Sequence, residues 1–439
     1  MKSIMPIHEI SKFTMNPEAF IDGDVDFCGV VFKLKKMKKF NFILVESLAG
    51  VIQCISGPQF ECREGESVRI QGVVKKSRVE DQFVKHKNIE IHVQHLVILS
   101  SPSETMPFDI TKSELNIHND VLFDLRPISL RHQKEKAIFV IQNELVEGLR
   151  AAFRKRMCHE LRTPKIVQEG AEGGANIFEL NYFGRSAYLT QSPQFYKEFG
   201  VGIFQRVFEI APVFRAEKHN TNRHLNEYIS IDVELGFIEH FEELMKFEMA
   251  CLKEAFENLR EKCTFELELL HVELPNISQV PCLKFCEAKE IYFHETGNDE
   301  KKENDLSPSE EKFLCEWAMK NHNSEFVFVT HFPSEKRPFY AMDSHENPSE
   351  TLSFDLLFRG VEITTGGQRI HSESELIKKM QARGMRIESF EFFTRAHKFG
   401  LPPHGGFGLG LERLTQKLLA LESVKRACLY PRDISRLSP

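Results

Sequence analysis

Residues 206–237 combine cations, carboxylates and an aromatic ring in a strand-like pattern. RVFEIAPVFRAEKHNTNRHLNEYISIDVELGF is apolar up to Arg215 and Glu217, and a polar loop with Arg223 and His224 follows. The second half alternates between two faces, which hold Tyr228, Ser230, Asp232 and Glu234 on one side and Ile229, Ile231, Val233 and Leu235 on the other. The pattern predicts a hairpin with one face on a core and a functional opposite face. The alternative is a solvated face, but such faces usually carry Lys, Glu and Thr.

Two further segments combine charge with glycine. FDLLFRGVEITTGGQRIH (354–371) is a strand-like run that holds Glu362, Arg369 and two glycines, which let a backbone approach a ligand closely. HGGFGLGLERLTQKLLAL (404–421) places a glycine-rich strand directly before a helix, with Arg413 at the junction. It contains neither GxGxxG nor a P-loop lysine, so the usual dinucleotide and NTPase interpretations fail.

The composition is that of a globular protein without excess positive charge. The chain has 439 residues, enough for two or three domains, of which 41% are hydrophobic and 28% charged. The net charge of -7 excludes RNA binding by bulk charge, so any RNA contact needs a local patch. The run FKLKKMKKF is either such a patch or the solvated rim of a hairpin, and its lysines are Lys33, Lys35, Lys36, Lys38 and Lys39.

The sequence contains no evident targeting or zinc signal. No apolar run has the length of a membrane helix, and the N-terminus lacks the basic start and apolar core of a secretory signal. The ten cysteines form no CxxC pair, and Cys282 and Cys286 lack a second pair that would complete a zinc site. We therefore expect a cytoplasmic protein with reduced thiols and no membrane association.

The predicted secondary structure changes character along the chain. Residues 25–100 contain five short runs rich in β-branched and aromatic residues, which predict a five-stranded oligonucleotide-binding (OB) barrel. SSPSETMPFD, at about 100–109, is typical of a linker. The remainder mixes helices and strands without regular βαβ alternation, so we expect an α+β domain on an antiparallel sheet.

Three helical or charged segments follow the linker. Apolar residues at helical spacing predict a helix within 131–156, namely Ile138, Ile141, Leu145, Leu149 and Phe153. A second amphipathic helix covers about 241–260, and a third begins at Ser372, whose spacing to Glu375 fits a capping box. The charged stretch 297–311 is predicted to be a surface excursion.

Together these segments resemble the three signature motifs of class II aminoacyl-tRNA synthetases. Motif 1 is the helix at about 131–157 with the strand ending at Pro164, motif 2 is the hairpin with Phe214–Glu217, and motif 3 is Gly408–Arg413. The resemblance covers nearly the whole chain, and the N-terminal barrel is similar to that of the aspartyl, asparaginyl and lysyl subgroup. It implies an anticodon-binding OB domain, a linker and a catalytic domain, at 1–103, 104–130 and 131–439.

The string QSPQFYKE (191–198) is similar to that of the aspartyl enzymes. Lys197 and Arg369 would pair two positive charges with the side-chain carboxylate of aspartate, Arg369 as a planar fork. A lysine considered alone would more often lie on the surface. The resemblance implies that the rest of the aspartate site holds the α-amino end and the carboxylate, through Glu172, Gln194, Arg215, Asp232 and Thr365.

The resemblance also implies an ATP site. Arg215 would bridge aspartate and the α-phosphate, Tyr228 and Arg413 would enclose the adenine, and magnesium would bind Glu362 and Thr365. Arg223 and His224 would reach the outer phosphates. The implied ATP-binding residues are Arg215, Ala216, Glu217, Arg223, His224, Leu225, Tyr228, Glu362, Gly410, Leu411, Glu412 and Arg413. The implied catalytic residues among them are Arg215, His224, Glu362 and Arg413.

Two positions depart from the family pattern, and two in the barrel match it. Thr365 stands where the family usually has Ser, and Gly367 where it commonly has Ala, which we expect to loosen a loop before Arg369. Phe42 and Gln53 match anticodon-reading positions, where an exposed ring can stack on a base. The alternative for Phe42 is an ordinary barrel core residue.

The function implied by the resemblance is aspartate–tRNA ligation. The enzyme would activate L-aspartate with ATP and Mg²⁺, transfer it to the 3′ end of tRNA(Asp), and form a homodimer through motif 1. A non-discriminating aspartyl enzyme that also charges tRNA(Asn) remains open, as does an asparaginyl enzyme, against which Lys197 argues. Outside this chemistry, the alternatives are an inactive synthetase-like regulator and an RNA-binding barrel joined to a small-molecule sensor.

Overall fold

The computed structural model describes residues 13, 16–168, 176–218, 221–298, 300 and 303–438. The chain divides into two compact units, Met1–Ala137 and Ile138–Pro439. The predicted division at 103 and 131 stays a proposal. No helix in the described ranges has the length and apolar character needed to cross a membrane.

The first unit contains the predicted five-stranded barrel. Its strands are β1 (Asp24–Lys36), β2 (Asn41–Ser47), β3 (Gly50–Ser56), β4 (Ser67–Lys76) and β5 (Ile89–Ser100), closed in the order β1-β2-β3-β5-β4. In β4 alternate residues point inward, as the period of two requires, and Val68, Ile70 and Val74 are fully buried. The OB-type barrel expected from the sequence is confirmed. Two short helices follow, α1 (Asn119–Asp124) and α2 (Arg126–Ser129).

The second unit is built on a sheet of eight strands in the order β12-β13-β14-β15-β16-β11-β10-β6. It is antiparallel from β13 to β10, and β12 and β6 join its two edges in parallel. The strands of the sheet are β6 (His159–Glu160), β10 (Arg206–Phe214), β11 (Glu227–Gly236), β12 (Cys282–Lys284), β13 (Phe326–Thr330), β14 (Ser353–Phe358), β15 (Val361–Gln368) and β16 (His404–Gly410). A small separate sheet contains β7 (Ile166–Val167), β8 (Glu179–Tyr182) and β9 (Arg185–Leu189).

Helices cover this sheet and bury its core. They are α3 (Gln133–Lys155), α4 (Gln194–Phe204), α5 (Glu242–Lys262), α6 (Thr264–Leu269), α7 (Phe285–Thr296), α8 (Pro308–His322), α9 (Glu373–Ala382), α10 (Glu391–Lys398) and α11 (Leu411–Leu418). The five apolar positions predicted for α3 are all buried and share a core with α5 and the sheet. The expected α+β architecture is therefore confirmed.

Two local expectations are wrong. Helix α9 begins after Ser372 as predicted, but the capping box does not form, because Ser372 Oγ lies 3.0 Å from Ser374 Oγ and makes no cap bond. The stretch 297–311 is not wholly a surface excursion. Its last residues start α8 with a capping box between Ser307 and Glu310, and Glu310 is 1% exposed.

Candidate active site

A cavity of about 1080 Å³ lies on the sheet of the second unit and collects most of the predicted site residues. The predicted residues that line it are Gln194, Lys197, Arg215, Glu217, Arg223, His224, Leu225, Tyr228, Asp232, Glu362, Thr365, Arg369, Gly410, Glu412 and Arg413. Ala216 and Leu411 belong to the same motifs but are not in its lining. Glu172 lies outside the described residues.

The register of three strands explains how distant segments meet in this cavity. Gly408 of β16 pairs with Asp232 of β11 on one side and with Thr365 of β15 on the other. A Cβ atom at Gly408 would lie 3.3 Å from Asp232 Oδ1. Because Gly408 has no side chain, it leaves space between Asp232 and Thr365, so the side chains of those two residues can face one ligand.

Two buried cations face two buried carboxylates at the inner end of the cavity. Lys197 is 2% exposed, and its Nζ lies 3.0 Å from Asp232 Oδ1 and 3.3 Å from Glu234 Oε2. Arg369 Nε donates to Glu234 Oε1 at 3.0 Å, and its NH2 donates to the carbonyl of Gly406 at 2.9 Å. A surface role for Lys197 is thus excluded by its burial.

Gln194 is oriented by a residue that the sequence analysis missed. Its Nε2 donates to Glu198 Oε1 at 2.6 Å, and Glu198 Oε2 lies 3.3 Å from Nε2 of His404. The other ring nitrogen of His404, Nδ1, lies 2.8 Å from the carbonyl of Pro402. A carboxylate and a carbonyl only accept, so both ring nitrogens donate and His404 is an imidazolium. The only signal for Glu198 was its place beside Lys197 in the QSPQ string.

The charge of Glu198 also shifts the pKa of His404. Burial works against the imidazolium, but the hydrogen bond from His404 to Glu198 and the charge of that carboxylate hold the pKa of His404 above its ordinary value. Burial likewise opposes ionisation of Glu198, and the bond and charge of His404 lower the pKa of Glu198 below its ordinary value. The charged pair therefore fixes Gln194 with its amide nitrogen on Glu198.

The cationic half of the cavity holds the residues predicted for ATP. The guanidinium carbon of Arg215 lies 5.8 Å from the ring centroid of Tyr228. Arg413 NH1 donates to the carbonyl of Glu362 at 3.1 Å and lies 3.6 Å from its Oε2. His224 Nδ1 lies 2.6 Å from the hydroxyl of Thr221. Three cationic or ionisable side chains, those of Arg215, His224 and Arg413, thus line one cavity with the ring of Tyr228.

Glu412 joins motifs 2 and 3. Its two oxygens accept from the backbone nitrogen of Ile229 at 3.1 and 3.0 Å, and burial raises the pKa of Glu412 to about 8. This contact fixes the start of α11 against β11 and thereby sets Arg413 opposite the hairpin.

The oxygen groups around Glu362 suit a hard divalent cation. Thr365 Oγ1 donates to Glu362 Oε1 at 2.7 Å, and Thr365 pairs with Asp355 across β14 and β15. Burial raises the pKa of Asp355 to about 7, although Arg337 NH2 donates to Asp355 Oδ1 at 2.7 Å. No group of three or more His, Cys, Asp or Glu side chains is clustered for a metal in the described ranges. Magnesium usually takes one or two carboxylates plus phosphate oxygens, so this donor set fits.

Asp355 and Arg337 were also missed, although both line the cavity. Asp355 is the single charged residue of the buried strand SFDLLF. A lone carboxylate in an otherwise apolar strand is the signal that could have found it, because such a group is costly to bury without a partner. Arg337 lies in a loop and carried no comparable signal.

The expectation for Gly367 is wrong in its structural part. Gly367 lies inside β15 and pairs with Ser353, so no loop precedes Arg369 at this point. A Cβ atom at Gly367 would lie 2.7 Å from the carbonyl oxygen of Leu352. Glycine here permits close strand packing and does not loosen the chain.

The barrel of the first unit carries the predicted RNA-contacting residues on its outer face. Phe42 pairs with Lys35, while its neighbour Ile43 points into the barrel core. Phe42 is half-buried against Phe40, with ring centroids 5.1 Å apart. The alternative that Phe42 is a core residue is therefore wrong. Gln53 lies on the same outer face, and its Nε2 donates to Glu90 at 3.0 Å.

Comparison with known proteins agrees with the geometry of both units. The chain is 41% identical to the aspartate–tRNA(Asp/Asn) ligase of Deinococcus radiodurans, over 99% of this chain and 97% of that protein. It is 36% identical to the aspartate–tRNA(Asp) ligase of Thermococcus kodakarensis, over 94% and 96%.

Solved structures and a family model support the same assignment. The asparaginyl-tRNA synthetase of Pyrococcus horikoshii with asparaginyl-adenylate has a TM-score of 0.88 at 27% identity, covering 100% of both chains. A structure from Leishmania major, described as a putative aspartyl-tRNA synthetase, has a TM-score of 0.85 at 26% identity, covering 98% of this chain and 94% of that one. The family model tRNA synthetases class II (D, K and N) matches residues 118–434. The chain belongs to the class II tRNA synthetases of the aspartate, lysine and asparagine group.

Proposed function

We propose that this chain is an aspartate–tRNA ligase, which activates L-aspartate with ATP and transfers it to the 3′ end of tRNA. The observation that carries the choice of aspartate is the buried charge arrangement of Lys197 and Arg369 against Asp232 and Glu234. The relatives that match over nearly the whole chain are named for the same activity.

Aspartate can exchange with the ion pair that Lys197 and Asp232 form within the pocket. Its ammonium would take the place of Lys197 on Asp232, whose Oδ1 lies 3.0 Å from Lys197 Nζ. Its side-chain carboxylate would then take Lys197 and Arg369. Each charge keeps a partner during this exchange, which matters because an unpaired charge is costly in a buried site.

The same arrangement disfavours asparagine. Its side-chain amide is neutral and presents an NH₂ donor where the pocket offers two cationic donors, Lys197 and Arg369. Its amide oxygen can accept from both cations but carries no negative charge to offset them, and a buried charge without a counter-charge is costly.

Activation needs positioning and charge neutralisation, and no side chain acts as a nucleophile. An oxygen of the aspartate α-carboxylate attacks the α-phosphorus of ATP in line, the bond to the bridging oxygen of the β-phosphate breaks, and pyrophosphate leaves. Arg215 would hold the carboxylate and the α-phosphate together, while Arg413 and His224 would offset the charge of the leaving group. The 3′-hydroxyl of the terminal adenosine of tRNA then attacks the carbonyl carbon of the aspartyl-adenylate. The ester bond forms, the bond from that carbon to the phosphate oxygen breaks, AMP leaves, and the hydroxyl proton passes to water.

We propose magnesium as the metal that accompanies ATP. Glu362, Asp355 and the hydroxyl of Thr365 would hold it together with phosphate oxygens. When bound, it supplies positive charge to the polyphosphate. Glu362 and Thr365 lie on β15 and Asp355 lies on the adjacent β14, so the pairing of the two strands holds these three donor groups in place.

The first unit would recognise the anticodon of the tRNA. Phe42 offers a ring on the outer barrel face, and Lys35 lies directly across from it. An aromatic ring beside positive charge fits a single-stranded loop, in which bases stack and phosphates need cations. We accordingly propose 1–103 as the anticodon-binding domain, 104–130 as a linker and 131–439 as the catalytic domain.

We also propose a cytoplasmic homodimer. Strand β6 lies at an edge of the large sheet, and His159 within it stacks on Phe204 with ring centroids 4.0 Å apart. Large apolar side chains are exposed at Met157, two residues before this strand, and at Phe204 and its neighbour Ile203. An exposed apolar group next to an unpaired sheet edge suits contact with a second copy through motif 1.

One alternative has direct support. The relatives from Deinococcus radiodurans and Thermus thermophilus, 41% and 40% identical, are named aspartate–tRNA(Asp/Asn) ligases. A non-discriminating enzyme would keep the aspartate pocket and differ in how the barrel reads the anticodon.

Charging of purified tRNA(Asp) and tRNA(Asn) with labelled aspartate and labelled asparagine tests the proposal. Aspartate on tRNA(Asp) alone supports a discriminating enzyme, and aspartate on both tRNAs supports the non-discriminating alternative. Asparagine on tRNA(Asn) contradicts the aspartate assignment, and no charging of either tRNA favours an inactive regulator.

A further inference from the structure

The first turn of α8 carries two glutamates, one of which contacts an arginine that lines the cavity. Glu310 and Glu311 are consecutive in the first turn of α8 but have different partners. Glu310 accepts from Lys289 Nζ at 2.8 Å and from the backbone of Ser307, so it anchors the helix. Glu311 instead reaches motif 2, where its Oε2 lies 2.6 Å from NH2 of Arg223.

Arg223 is held through one nitrogen from two directions. The same NH2 donates to the carbonyl of Gly360 at 3.0 Å, in the turn between β14 and β15. A guanidinium is planar, so two acceptors on one terminal nitrogen fix the direction in which the rest of the fork points. Arg223 lines the cavity, whereas Glu311 lies behind it, outside the lining.

The exposed fractions of the two side chains agree with Glu311 lying behind Arg223. The Glu311 side chain is 13% exposed and the Arg223 side chain 29%, so the arginine is the partner nearer to solvent. A flexible arginine at that exposure would otherwise sample many rotamers, and ordering it on each binding event would weaken ligand binding.

We infer that Glu311 is a positioning residue for ATP, which orients Arg223 so that its remaining N–H groups face the outer phosphates. This inference rests on the proposed function, which assigns Arg223 to those phosphates. Repulsion between Glu311 and the phosphates is the opposing effect. It is the smaller one, because Arg223 stands between the two negative groups. Burial and the charge of Glu362 raise the pKa of Glu311, and the positive charges of Arg223 and Arg413 act in the opposite direction.

Steady-state ATP–pyrophosphate exchange with Glu311→Ala and Glu311→Gln separates these effects. We expect Glu311→Ala to raise the KM for ATP about tenfold, corresponding to about 1.4 kcal/mol, with the KM for aspartate unchanged. Glu311→Gln keeps an acceptor oxygen for Arg223 and should recover most of the loss. Glu316→Gln, an exposed position on the same helix, is the matched control and should behave as wild type.

Two further readouts exclude a general structural effect. In an Arg223→Ala background, adding Glu311→Ala should cost nothing more, because the two residues act as one unit. Inhibition by AMP, which lacks the outer phosphates, should be unchanged in Glu311→Ala, while binding of pyrophosphate weakens. If thermal unfolding shows that Glu311→Ala is not folded, Glu311→Met, which keeps the side-chain length and removes both acceptor oxygens, takes its place in each comparison.

Several results would overturn the inference. A lower KM for ATP in both Glu311 variants would show that the carboxylate competes with the phosphates. Equal increases in Glu311→Ala and Glu311→Gln, or no change in either, would remove the orienting role while leaving the proposed function intact. Absence of aspartate-dependent exchange in the wild-type chain would contradict the proposed function and this inference with it.

Discussion

At the scale of single residues, Lys197 is the most informative side chain of the aspartate pocket. Lys197→Ala removes one of two cations, so we expect the preference for aspartate over asparagine to fall by at least about tenfold in binding. Calorimetric titration of both amino acids measures this ratio. The variant also removes positive charge from beside the buried carboxylates of Asp232 and Glu234, so the melting temperature of the protein should fall. Equal losses for both amino acids would exclude Lys197 from specificity.

The Glu198–His404 pair predicts a pH dependence with a definite sign. Because the folded pKa of His404 is raised, its stabilising contribution is fully present below the unfolded pKa of about 6.5 and is lost as pH rises through the folded value. Deprotonation removes the donor to Glu198 and loosens Gln194, so the KM for aspartate should rise in the same range.

A pH series of the aspartate KM tests this coupling. Glu198 and Glu234 are the carboxylates whose charges act on His404. His404→Gln keeps a donor that does not titrate, so the rise in KM should disappear in that variant. An identical pH profile in His404→Gln would assign the rise to another group.

At the scale of elements, Gly367 sets the spacing between β14 and β15. An alanine Cβ would lie 2.7 Å from the carbonyl oxygen of Leu352, so one strand must shift. We expect Gly367→Ala to destabilise the protein by about 1–3 kcal/mol, the usual cost of overpacking. Chemical denaturation measures this free energy, and an unchanged value would show that the strands adjust without strain.

The sequence predicted the elements of this site better than their internal contacts. The alternation in β11 and the helical spacing in α3 gave the hairpin and the core helix, because burial imposes those periods. Glu198, Asp355 and Glu311 were missed, since each acts through a partner distant in sequence that only the tertiary register brings near. The failed capping box at Ser372 shows the same limit, because the serine hydroxyl took another partner.

At the scale of the whole molecule, we assign activation and anticodon recognition to different units. Phe42→Ala should therefore lower kcat/KM for tRNA while leaving aspartate-dependent exchange unchanged. The loss of one base–aromatic stack is about 1–3 kcal/mol, or roughly fivefold to 150-fold. Val97→Ala, an exposed apolar position on β5 of the same barrel, is the control. Loss of exchange in Phe42→Ala would contradict this separation.

The most direct test of the central claim is amino-acid-dependent ATP–pyrophosphate exchange by the wild-type protein. The arrangement of Lys197, Arg369, Arg215 and Arg413 predicts exchange with aspartate and none with lysine, and far less with asparagine than with aspartate. Arg215→Ala should abolish it, because the α-phosphate then lacks its bridging cation. Exchange that prefers asparagine, exchange without any amino acid requirement, or normal exchange in Arg215→Ala would contradict the assignment.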